Sequence, residues 1–395
     1  MSNPLRVELK HGDCIELMRE LPDNSIDSIV TDPPYGLEFM GKEWDSPSQM
    51  IGAVSTLHGG LGRYKKGEKR TGYAQQMPEQ FQVFSRSWAA EALRVLKPGG
   101  HLLAFGGTRT YHRLAVAIED AGFEIRDSMI WLYGSGFPKS HDVSKAIDKA
   151  AGATRQRIAY EGGIASGQAN WGGGGHRYVG TKVGNTAITN PAQQWSGWGT
   201  ALKPAHEPIV VARKPLIGTV AENVLEWGVG AMNIDGCRIG NEVLPAIRAG
   251  QAQIGTFERT NMVTPERTGR WPANVVLSHT VFCDDTCAEG CPIAELDKQN
   301  EGASRFFYVA KASKRERPKV DGVAHPTVKP LALMRWLVRL VTPPNGTVLE
   351  PFAGSGTTIE AALLEGFSVL AFEKTADYLP LIRERIRRTD TGVTN

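Results

Sequence analysis

Two short stretches near opposite ends of the chain decide the fold: Thr31-Asp32-Pro33-Pro34-Tyr35-Gly36 and Glu350-Pro351-Phe352-Ala353-Gly354-Ser355-Gly356-Thr357-Thr358. Each follows a short apolar run, as the loop after a buried strand does in an α/β sheet. In the second stretch a strand pattern is followed by Gly-x-Gly and then by a helical pattern, which favours a nucleotide-like ligand at the turn. A tight structural turn is the alternative when this stretch is considered alone.

Alternating strand and helix patterns surround both stretches. In the first part of the chain we predict strands at 26–31, 101–105 and 128–133, and helices at 81–96 and 110–121, the first ended by Lys97-Pro98-Gly99-Gly100. In the last part we predict helices at 331–341, 358–365 and 377–388, and strands at 347–350 and 368–373. Neither part has enough strands for a full sheet. We therefore predict one mostly parallel α/β sheet built from both ends of the chain.

The middle of the chain differs in character. Residues 151–300 show no sustained period, and twelve of the 44 glycines lie between 151 and 200. Flexible linker is one interpretation. The tryptophans and the apolar run Pro208-Ile209-Val210-Val211-Ala212 indicate instead that part of this region packs. We expect three segments: residues 1–150, an irregular inserted domain at 151–300, and residues 301–395.

Composition narrows the class of protein. The 395 residues are 41% hydrophobic and 22% charged without a long apolar run, which argues against a membrane span. The start, Met1 to Arg6, has no apolar segment typical of a secretory signal, and five cysteines favour a reducing cytoplasm. A net charge of +3 permits a nucleic-acid partner without requiring one. Positive charge concentrates at Arg63–Arg70 and Arg305–Lys319, which solvated surface loops would also explain.

The first stretch suits alkylation of an exocyclic amine. Such an amine is a poor nucleophile because its lone pair is delocalised into the ring, and acceptors on its N–H bonds stabilise the positive charge that develops during attack. Asp32 offers a carboxylate, and the carbonyl of Pro33 offers a second acceptor whose direction is restricted by Pro34. Tyr35 offers an aromatic face for stacking. A strand-terminating turn with a packed tyrosine is the alternative.

Together, and in this order along the chain, the two stretches resemble the permuted (β-class) family of DNA amino-methyltransferases, which use S-adenosylmethionine. The similarity covers residues 10–36, 91–150 and 303–388. It implies a Rossmann-like methyltransferase sheet with circularly permuted motif order. It also implies that the irregular middle segment is an inserted target-recognition domain.

The resemblance assigns roles to individual residues. The catalytic set would be Asp32, Pro33, Pro34 and Tyr35. Asp13 would lie beside the cofactor adenine, and Glu373 would accept from the ribose hydroxyls. The remaining cofactor-binding residues would be His325, Thr327 and Lys329 near the methionine end, with Glu350, Phe352, Ala353, Gly354, Ser355, Gly356 and Thr357 in the loop.

The same resemblance indicates the reaction. Family members with Asp at the position of Asp32 mostly methylate adenine at N6, and those with Ser tend to methylate cytosine at N4. We therefore expect site-specific methylation of adenine in double-stranded DNA, by base flipping because the amine is unreachable inside a duplex. Alternatives are cytosine N4, an RNA or protein amide, and a non-catalytic DNA-binding protein that retains a methyltransferase shell. A dehydrogenase is disfavoured because Ile359 stands where a third glycine would be needed.

The resemblance also suggests partners and location. We expect a homodimer and, besides DNA, a cognate restriction endonuclease as a further partner unless the enzyme acts alone. The expected location is the cytoplasm of a bacterial or phage-infected bacterial cell, with no membrane association.

Two features of the middle region stand apart. His279-x3-Cys283-x3-Cys287-x3-Cys291 contains the ligand types of a structural Zn²⁺ site, although the spacing is not the usual paired CxxC. Reduced thiols beside a surface histidine are the alternative. Trp195 and Trp198 would either stack on DNA or pack as buried structural residues.

Overall fold

The computed structural model describes residues 5–37, 45, 77–133, 140–161, 179–183, 186–246, 265–280, 283, 286–310, 318–320 and 322–390. The basic stretch Arg63–Arg70, part of Arg305–Lys319 and the glycine run Gly172–Gly175 lie outside these residues. The chain divides into two compact units. The larger comprises Met1–Ser135 with His206–Asn395, and the smaller is Gly136–Ala205.

The described strands are β1 (Val7–His11), β2 (Ile26–Thr31), β3 (Leu96–Phe105), β4 (Glu124–Tyr133), β5 (Arg157–Glu161), β6 (Val179–Val183), β7 (His206–Arg213), β8 (Ile239–Leu244), β9 (Arg267–Arg270), β10 (Val275–Ser278), β11 (Tyr308–Ala310), β12 (Lys319–Val320), β13 (Val323–Ala324), β14 (Thr347–Glu350) and β15 (Ser368–Glu373). The described α-helices are α1 (Cys14–Arg19), α2 (Met77–Val95), α3 (Tyr111–Asp120), α4 (Val143–Ala150), α5 (Asn190–Gln194), α6 (Val220–Trp227), α7 (Pro292–Gln299), α8 (Leu331–Val341), α9 (Thr357–Leu364) and α10 (Leu379–Asp390).

The larger unit is organised around a nine-stranded sheet in the order β1-β15-β14-β2-β3-β7-β4-β10-β11. Neighbouring strands run parallel except around β7, which is antiparallel to both β3 and β4. Both ends of the chain contribute adjacent strands, since β14 and β15 pair with β2 and β1. The expectation of a mostly parallel sheet assembled from both ends of the chain is confirmed.

Helices cover both faces of this sheet. Successive residues of β2 point to opposite faces, so Ile29 belongs to the buried cluster that includes Trp88 of α2, whereas Val30 belongs to the cluster that includes Leu337 of α8. Because the sheet is buried on both faces, the sequences of its strands are continuous apolar runs and do not alternate between apolar and polar residues. The predicted strands 26–31, 347–350 and 368–373 and the predicted helix 331–341 have the bounds of β2, β14, β15 and α8.

The sheet also includes segments from the middle of the chain. Strands β7 and β10 lie within 151–300, the range that the sequence assigned to a separate domain, and the smaller compact unit begins and ends earlier than that range. Strand β7 joins the sheet because its run Pro208–Ala212 is apolar and can be buried. It pairs with β3 on one side and with β4 on the other. Helix α2 ends at Val95, just before Lys97 to Gly100 as predicted, but these residues belong to β3, which begins five residues earlier than the predicted strand 101–105.

The smaller unit contains α4, α5 and the antiparallel pair β5–β6. Its buried carboxylate, Asp148, accepts hydrogen bonds from Arg155 and from the backbone N–H groups of Ile188 and Thr189. These bonds join the helix to a segment forty residues away. Among the described helices of both units, none is long and apolar enough to cross a membrane.

Candidate active site

The two deciding stretches meet at one edge of the sheet. Strands β1, β15, β14 and β2 are neighbours and run parallel, so the segments that follow them lie at the same edge, where ligands bind in open α/β sheets. Asp32 follows β2, and the loop 351–356 follows β14. The hydroxyl of Thr31 donates to Oε1 of Glu350 across a sequence separation of 319 residues. The chain therefore places the two motifs side by side.

Glu350 is buried and connects the two motifs through hydrogen bonds. Its carboxyl group also accepts from the hydroxyl of Thr358 and from the backbone N–H of Phe352, the latter at 3.0 Å. Burial raises the pKa of Glu350 to about 8, although these donors act in the opposite direction. Glu350 thus fixes the loop after β14 to the end of β2, and its carboxyl group is turned inward.

Four side chains form what we call the carboxylate cluster: Asp32, Tyr35, Glu207 and Lys329. The Tyr35 hydroxyl lies 2.8 Å from Oδ1 of Asp32 and 2.8 Å from Oε2 of Glu207. The Lys329 ammonium donates to Oδ2 of Asp32 at 2.6 Å and lies 3.1 Å from Glu207. It also lies 3.2 Å from the Tyr35 oxygen. One oxygen of Asp32 therefore accepts from Lys329, and the other shares the single hydroxyl proton of Tyr35 with Glu207.

The charge of the cluster follows from its contacts. Burial lowers the pKa of Lys329, but the charges of Asp32 and Glu207 outweigh it and leave that pKa raised. Burial and the same two carboxylates raise the pKa of Tyr35, so the phenol stays neutral and acts as a donor. Two carboxylates beside one ammonium give the cluster a net negative charge. Such a site stabilises positive charge that develops nearby.

Aromatic rings line the cluster. The Lys329 ammonium lies 4.8 Å from the centroid of the Phe105 ring, 5.5 Å from that of Tyr35 and 5.9 Å from that of Trp131. These distances are within the range of cation–π attraction. The Trp131 ring also contacts Tyr133, at 4.9 Å between centroids. The surroundings combine flat apolar surfaces with a few placed charges, as a site for a heteroaromatic base requires.

The turn that carries Tyr35 is fixed by its backbone. The carboxylate of Asp45 accepts from the N–H groups of Tyr35 and Gly36 at 2.7 and 2.8 Å. The hydroxyl of Thr110 donates to the Tyr35 carbonyl at 2.8 Å. Gly36 has a φ of +67°, and a Cβ there would lie 2.6 Å from the Phe81 ring, so only glycine fits.

The sequence patterns did not single out Glu207 and Asp45. Glu207 had a weak signal, because it immediately precedes the apolar run 208–212 that indicated a packed strand. Asp45 had none, because its role depends on backbone N–H groups about ten residues away.

The loop after β14 forms a tight turn into α9. Gly354 and Gly356 have φ values of +52° and +79°. A Cβ on Gly356 would lie 3.1 Å from the backbone of Ile382, which excludes a larger residue. The ring of Phe352 packs edge-on against Trp88, at 5.6 Å between centroids. Ala353, Ser355 and Thr357 are buried, and the last two share a hydrogen bond of 2.9 Å.

Glu373 and Asp13 lie at the ends of the neighbouring strands. Glu373 accepts from the backbone N–H groups of Gly354 and Thr375, both at 2.7 Å, and burial raises its pKa. Asp13 caps α1 by accepting from the Ile15 N–H at 3.0 Å, and it pairs with Lys374 at 3.1 Å. Glu373 therefore contacts the glycine loop directly, whereas Asp13 caps α1 and pairs with the residue that follows Glu373.

The predicted cofactor-binding residues His325, Thr327 and Lys329 lie in two different parts of the site. The His325 ring packs edge-on against Tyr378 at 4.6 Å between centroids, and its Nε2 is 3.2 Å from where a Cβ on Gly354 would stand. Its Nδ1 lies 2.5 Å from the Thr327 carbonyl oxygen, to which a protonated Nδ1 donates, and burial lowers the pKa of His325. His325 and Thr327 thus lie against the glycine loop, whereas Lys329 lies in the carboxylate cluster.

The predicted zinc ligands also come together. The ligand atoms of His279, Cys283, Cys287 and Cys291 all lie within 4.8 Å of one another. Trp195 and Trp198 form an edge-to-face pair in the smaller unit, and their side chains are 43% and 60% exposed. The expectation that these tryptophans are buried is therefore wrong.

Comparison with known proteins gives a family match over most of the chain. The model of the N6/N4 DNA methylase family, described as DNA methylase, matches residues 26–384. The chain is 26% identical over 375 residues to the type II methyltransferase M.HindIII of Haemophilus influenzae, which covers 92% of this chain and 90% of the relative. It is 26% identical over 120 residues, 30% of either protein, to M.HinfI of Haemophilus influenzae.

Solved structures give weaker similarities. The PvuII DNA methyltransferase, described as cytosine-N4-specific, aligns at 14% identity with a TM-score of 0.43, covering 99% of this chain and 96% of that one. A complex of M1.HpyAVI with SAM aligns at 15% identity with a TM-score of 0.39, covering 96% and 99%.

Proposed function

Since the chain belongs to the N6/N4 DNA methylase family, we propose that it transfers a methyl group from S-adenosylmethionine to the N6 amine of adenine at a specific sequence in double-stranded DNA. The carboxylate cluster is the observation that carries this proposal. It presents a negatively charged acceptor, bordered by aromatic rings, next to a glycine loop that can hold a cofactor.

The residues around the glycine loop fit the proposed cofactor. Gly354 and Gly356 leave the backbone open to close approach by a ligand. Glu373 accepts from Gly354 and Thr375 at the edge of the glycine loop, and its carboxylate oxygens, with about four lone-pair sites in all, would also accept from ribose hydroxyls. We propose that Asp13 would accept from the adenine amino group, and that His325 with Thr327 would line the methionine end. The bound cofactor would supply an electrophilic methyl group on a sulfonium.

The carboxylate cluster would prepare the target amine. Asp32 accepts one N–H of the amine and the Pro33 carbonyl accepts the other, which favours the tetrahedral nitrogen that attacks the methyl group. Lys329 and the Tyr35 hydroxyl hold the Asp32 carboxylate in one orientation, and Glu207 holds them in turn. The methylated nitrogen loses one proton, which an Asp32 oxygen can accept and pass to solvent.

Access requires extrusion of the base from the duplex. The Tyr35 face would stack on the extruded base, and the buried rings of Phe105 and Trp131 pack around Lys329 in the same cluster. We assign sequence recognition to the middle region, within 151–300. Its exposed pair Trp195 and Trp198 suits stacking on DNA, which favours the interpretation that they contact nucleic acid.

The choice of adenine rests on Asp32. The family includes enzymes for both N6 and N4 amines, and both amines pose the same chemical problem, so methylation of cytosine N4 is the second candidate. Asp at this position in the resembling family favours adenine. We also propose that the protein belongs to the permuted β-class and forms a homodimer. Its proposed location is the cytoplasm, where a restriction endonuclease would be its partner.

The proposal is tested with S-adenosylmethionine carrying a tritiated methyl group and unmethylated duplex DNA. We expect tritium to enter the DNA with the wild-type chain. Cofactor that binds without any transfer to diverse duplex DNA would instead favour an RNA or protein substrate, or an inactive shell.

A further inference from the structure

The segment between β10 and α7 carries four soft ligands on one small site. His279 directly follows β10, Cys291 is the residue before α7, and Cys283 and Cys287 lie between them. His279 Nδ1 is 3.4 Å from the sulfur of Cys291 and 3.5 Å from that of Cys287. All four ligand atoms lie within 4.8 Å of one another. Four ligands spread over thirteen residues of the sequence thus lie around one point.

The distances fit a tetrahedral metal ion. Zinc–sulfur bonds of about 2.3 Å and zinc–nitrogen bonds of about 2.1 Å place ligand atoms roughly 3.4–3.8 Å apart around tetrahedral Zn²⁺. The distances of 3.4 and 3.5 Å from His279 Nδ1 to the sulfurs of Cys291 and Cys287 lie in that range. All five cysteines of the chain are free thiols, so disulfide formation does not explain the grouping. Three sulfurs and one imidazole fill four positions, which leaves none open for a substrate.

The backbone around the site supports bound thiolates. The N–H of Ala288 points at the sulfur of Cys283 from 3.3 Å. Backbone donors of this kind orient metal-bound sulfur and neutralise part of its charge. Cys291 is fully buried directly before α7, so this ligand is held in place by the surrounding packing.

This outer part of the sheet has a small apolar core of its own. Its buried members are Leu277, Cys291 and Ile293. Strands β10 and β11 contribute only four and three residues. A core of this size stabilises a segment weakly, and small units commonly depend on a metal or a disulfide for that reason.

We propose that His279, Cys283, Cys287 and Cys291 bind one structural Zn²⁺ that fastens α7 to the end of β10. The site also adjoins the carboxylate cluster through one contact. Ser278, the residue before His279, accepts from the Trp131 indole N–H at 2.7 Å, and the Trp131 ring faces Lys329. The metal thereby positions the wall of the base site without touching the reacting atoms.

The test measures zinc in the full-length chain purified without chelator. We expect about one zinc per chain in the wild type, and the same in Cys14→Ala, a control at a buried cysteine distant in sequence from the site. Cys287→Ser should lose most of the zinc. Cys287 is chosen for substitution because it is exposed, whereas Cys291 is buried. Its replacement therefore disturbs the packing of the protein less. Replacement by Co²⁺ should give the intense visible and near-ultraviolet absorption of a tetrahedral cobalt–thiolate site.

Two results would overturn the proposal. One is a wild-type chain with far less than one zinc that also fails to take up added Zn²⁺ or Co²⁺. The other is equal zinc content in Cys287→Ser, Cys283→Ser and the wild type. Thermal unfolding of the same samples gives a second readout, since removal of zinc by a chelator should lower the melting temperature of the wild type but not of Cys287→Ser.

Discussion

Asp32 is an acceptor whose orientation is set before any substrate arrives. Tyr35 and Lys329 each occupy one of its oxygens, and Glu207 binds both of these donors. A carboxylate held in this way pays little reorganisation energy when charge develops on the amine, which is the general reason such groups accelerate reactions.

Replacing Asp32 should separate transfer from binding. We expect Asp32→Ala to lower kcat by roughly 100- to 1000-fold, the usual effect of removing one charge-stabilising group. The dissociation constants for S-adenosylmethionine and DNA should change little. Single-turnover methyl transfer and equilibrium binding check this, with the exposed Asp120→Ala as control. Substantial residual turnover would mean that another group accepts from the amine.

Glu207 should act as a positioning residue for the same step. Glu207→Gln removes a charged partner of Lys329 and Tyr35. A hydrogen bond to a charged group is worth roughly 1.5–3 kcal/mol, so kcat should fall roughly 10- to 100-fold. The KM for the cofactor should stay unchanged, because Glu207 does not border the glycine loop. A raised cofactor KM with unchanged kcat would contradict this role.

Glu350 should make folding stability depend on pH. Its pKa is about 8 in the folded chain, whereas an exposed glutamic acid has a pKa of about 4.3. The folded state therefore binds the proton more tightly, and this stabilisation is complete below about pH 4.3 and is lost as pH rises through 8.

Chemical denaturation of wild type and Glu350→Gln between pH 5 and pH 8 measures this effect. Relative to the variant, the free energy of unfolding of the wild type should decrease as pH rises, by up to roughly 1.4 kcal/mol per pH unit. The exposed Glu119→Gln should show no such trend. A constant difference between wild type and Glu350→Gln would show that Glu350 is ionised throughout.

Sequence alone predicted the part of the site that is local. Asp32, Tyr35 and Gly354 stand in short motifs whose chemistry can be inferred from neighbouring residues. Glu207 and Asp45 contribute through contacts with residues distant in the chain, so no local pattern marks them. Lys329 was expected near the cofactor, and only the tertiary structure places it against Asp32.

The β14–α9 connection should depend on glycine for two separable reasons. Gly354 and Gly366 both have positive φ, so alanine at either position costs roughly 1–2 kcal/mol of stability. A Cβ on Gly366 would meet nothing within 4 Å, whereas one on Gly354 would enter the loop beside His325.

We therefore expect Gly354→Ala and Gly366→Ala to lower the melting temperature similarly, while only Gly354→Ala weakens S-adenosylmethionine binding, by more than about 10-fold or 1.4 kcal/mol. Calorimetric titration of both variants checks this. Equal cofactor affinity in the two variants would place the cofactor elsewhere.

Strands whose sequences are apolar runs could be predicted from the sequence. The order in which these strands pair in the sheet could not. Strands β2, β14 and β15 follow from buried sequence that is bounded by turns. The start of β3 does not, because Pro98 and Gly99 favour a turn. Lys214, just after β7, extends this pairing, with the Gly99 N–H donating to its carbonyl at 3.0 Å. Strand pairing of this kind overrides local preference.

The sheet as a whole explains why motifs at opposite ends of the chain can act together. Parallel pairing of β2 with β14 and of β1 with β15 joins the first 31 residues to the last fifty. The middle region supplies β7 and β10 to this sheet and the separate unit Gly136–Ala205. Under the proposed function, substrate recognition can vary in that unit while the sheet edge that performs the chemistry stays unchanged.

The most direct measurement is the identity of the modified base. The chain is incubated with S-adenosylmethionine and unmethylated duplex DNA, and the DNA is digested to nucleosides for mass spectrometry. The proposed reaction predicts N6-methyladenine, formed at a strongly reduced rate when Asp32→Ala replaces the wild type. N4-methylcytosine would contradict the choice of base while keeping the chemistry of the cluster, and no modified nucleoside, with the cofactor bound, would contradict the proposed reaction itself.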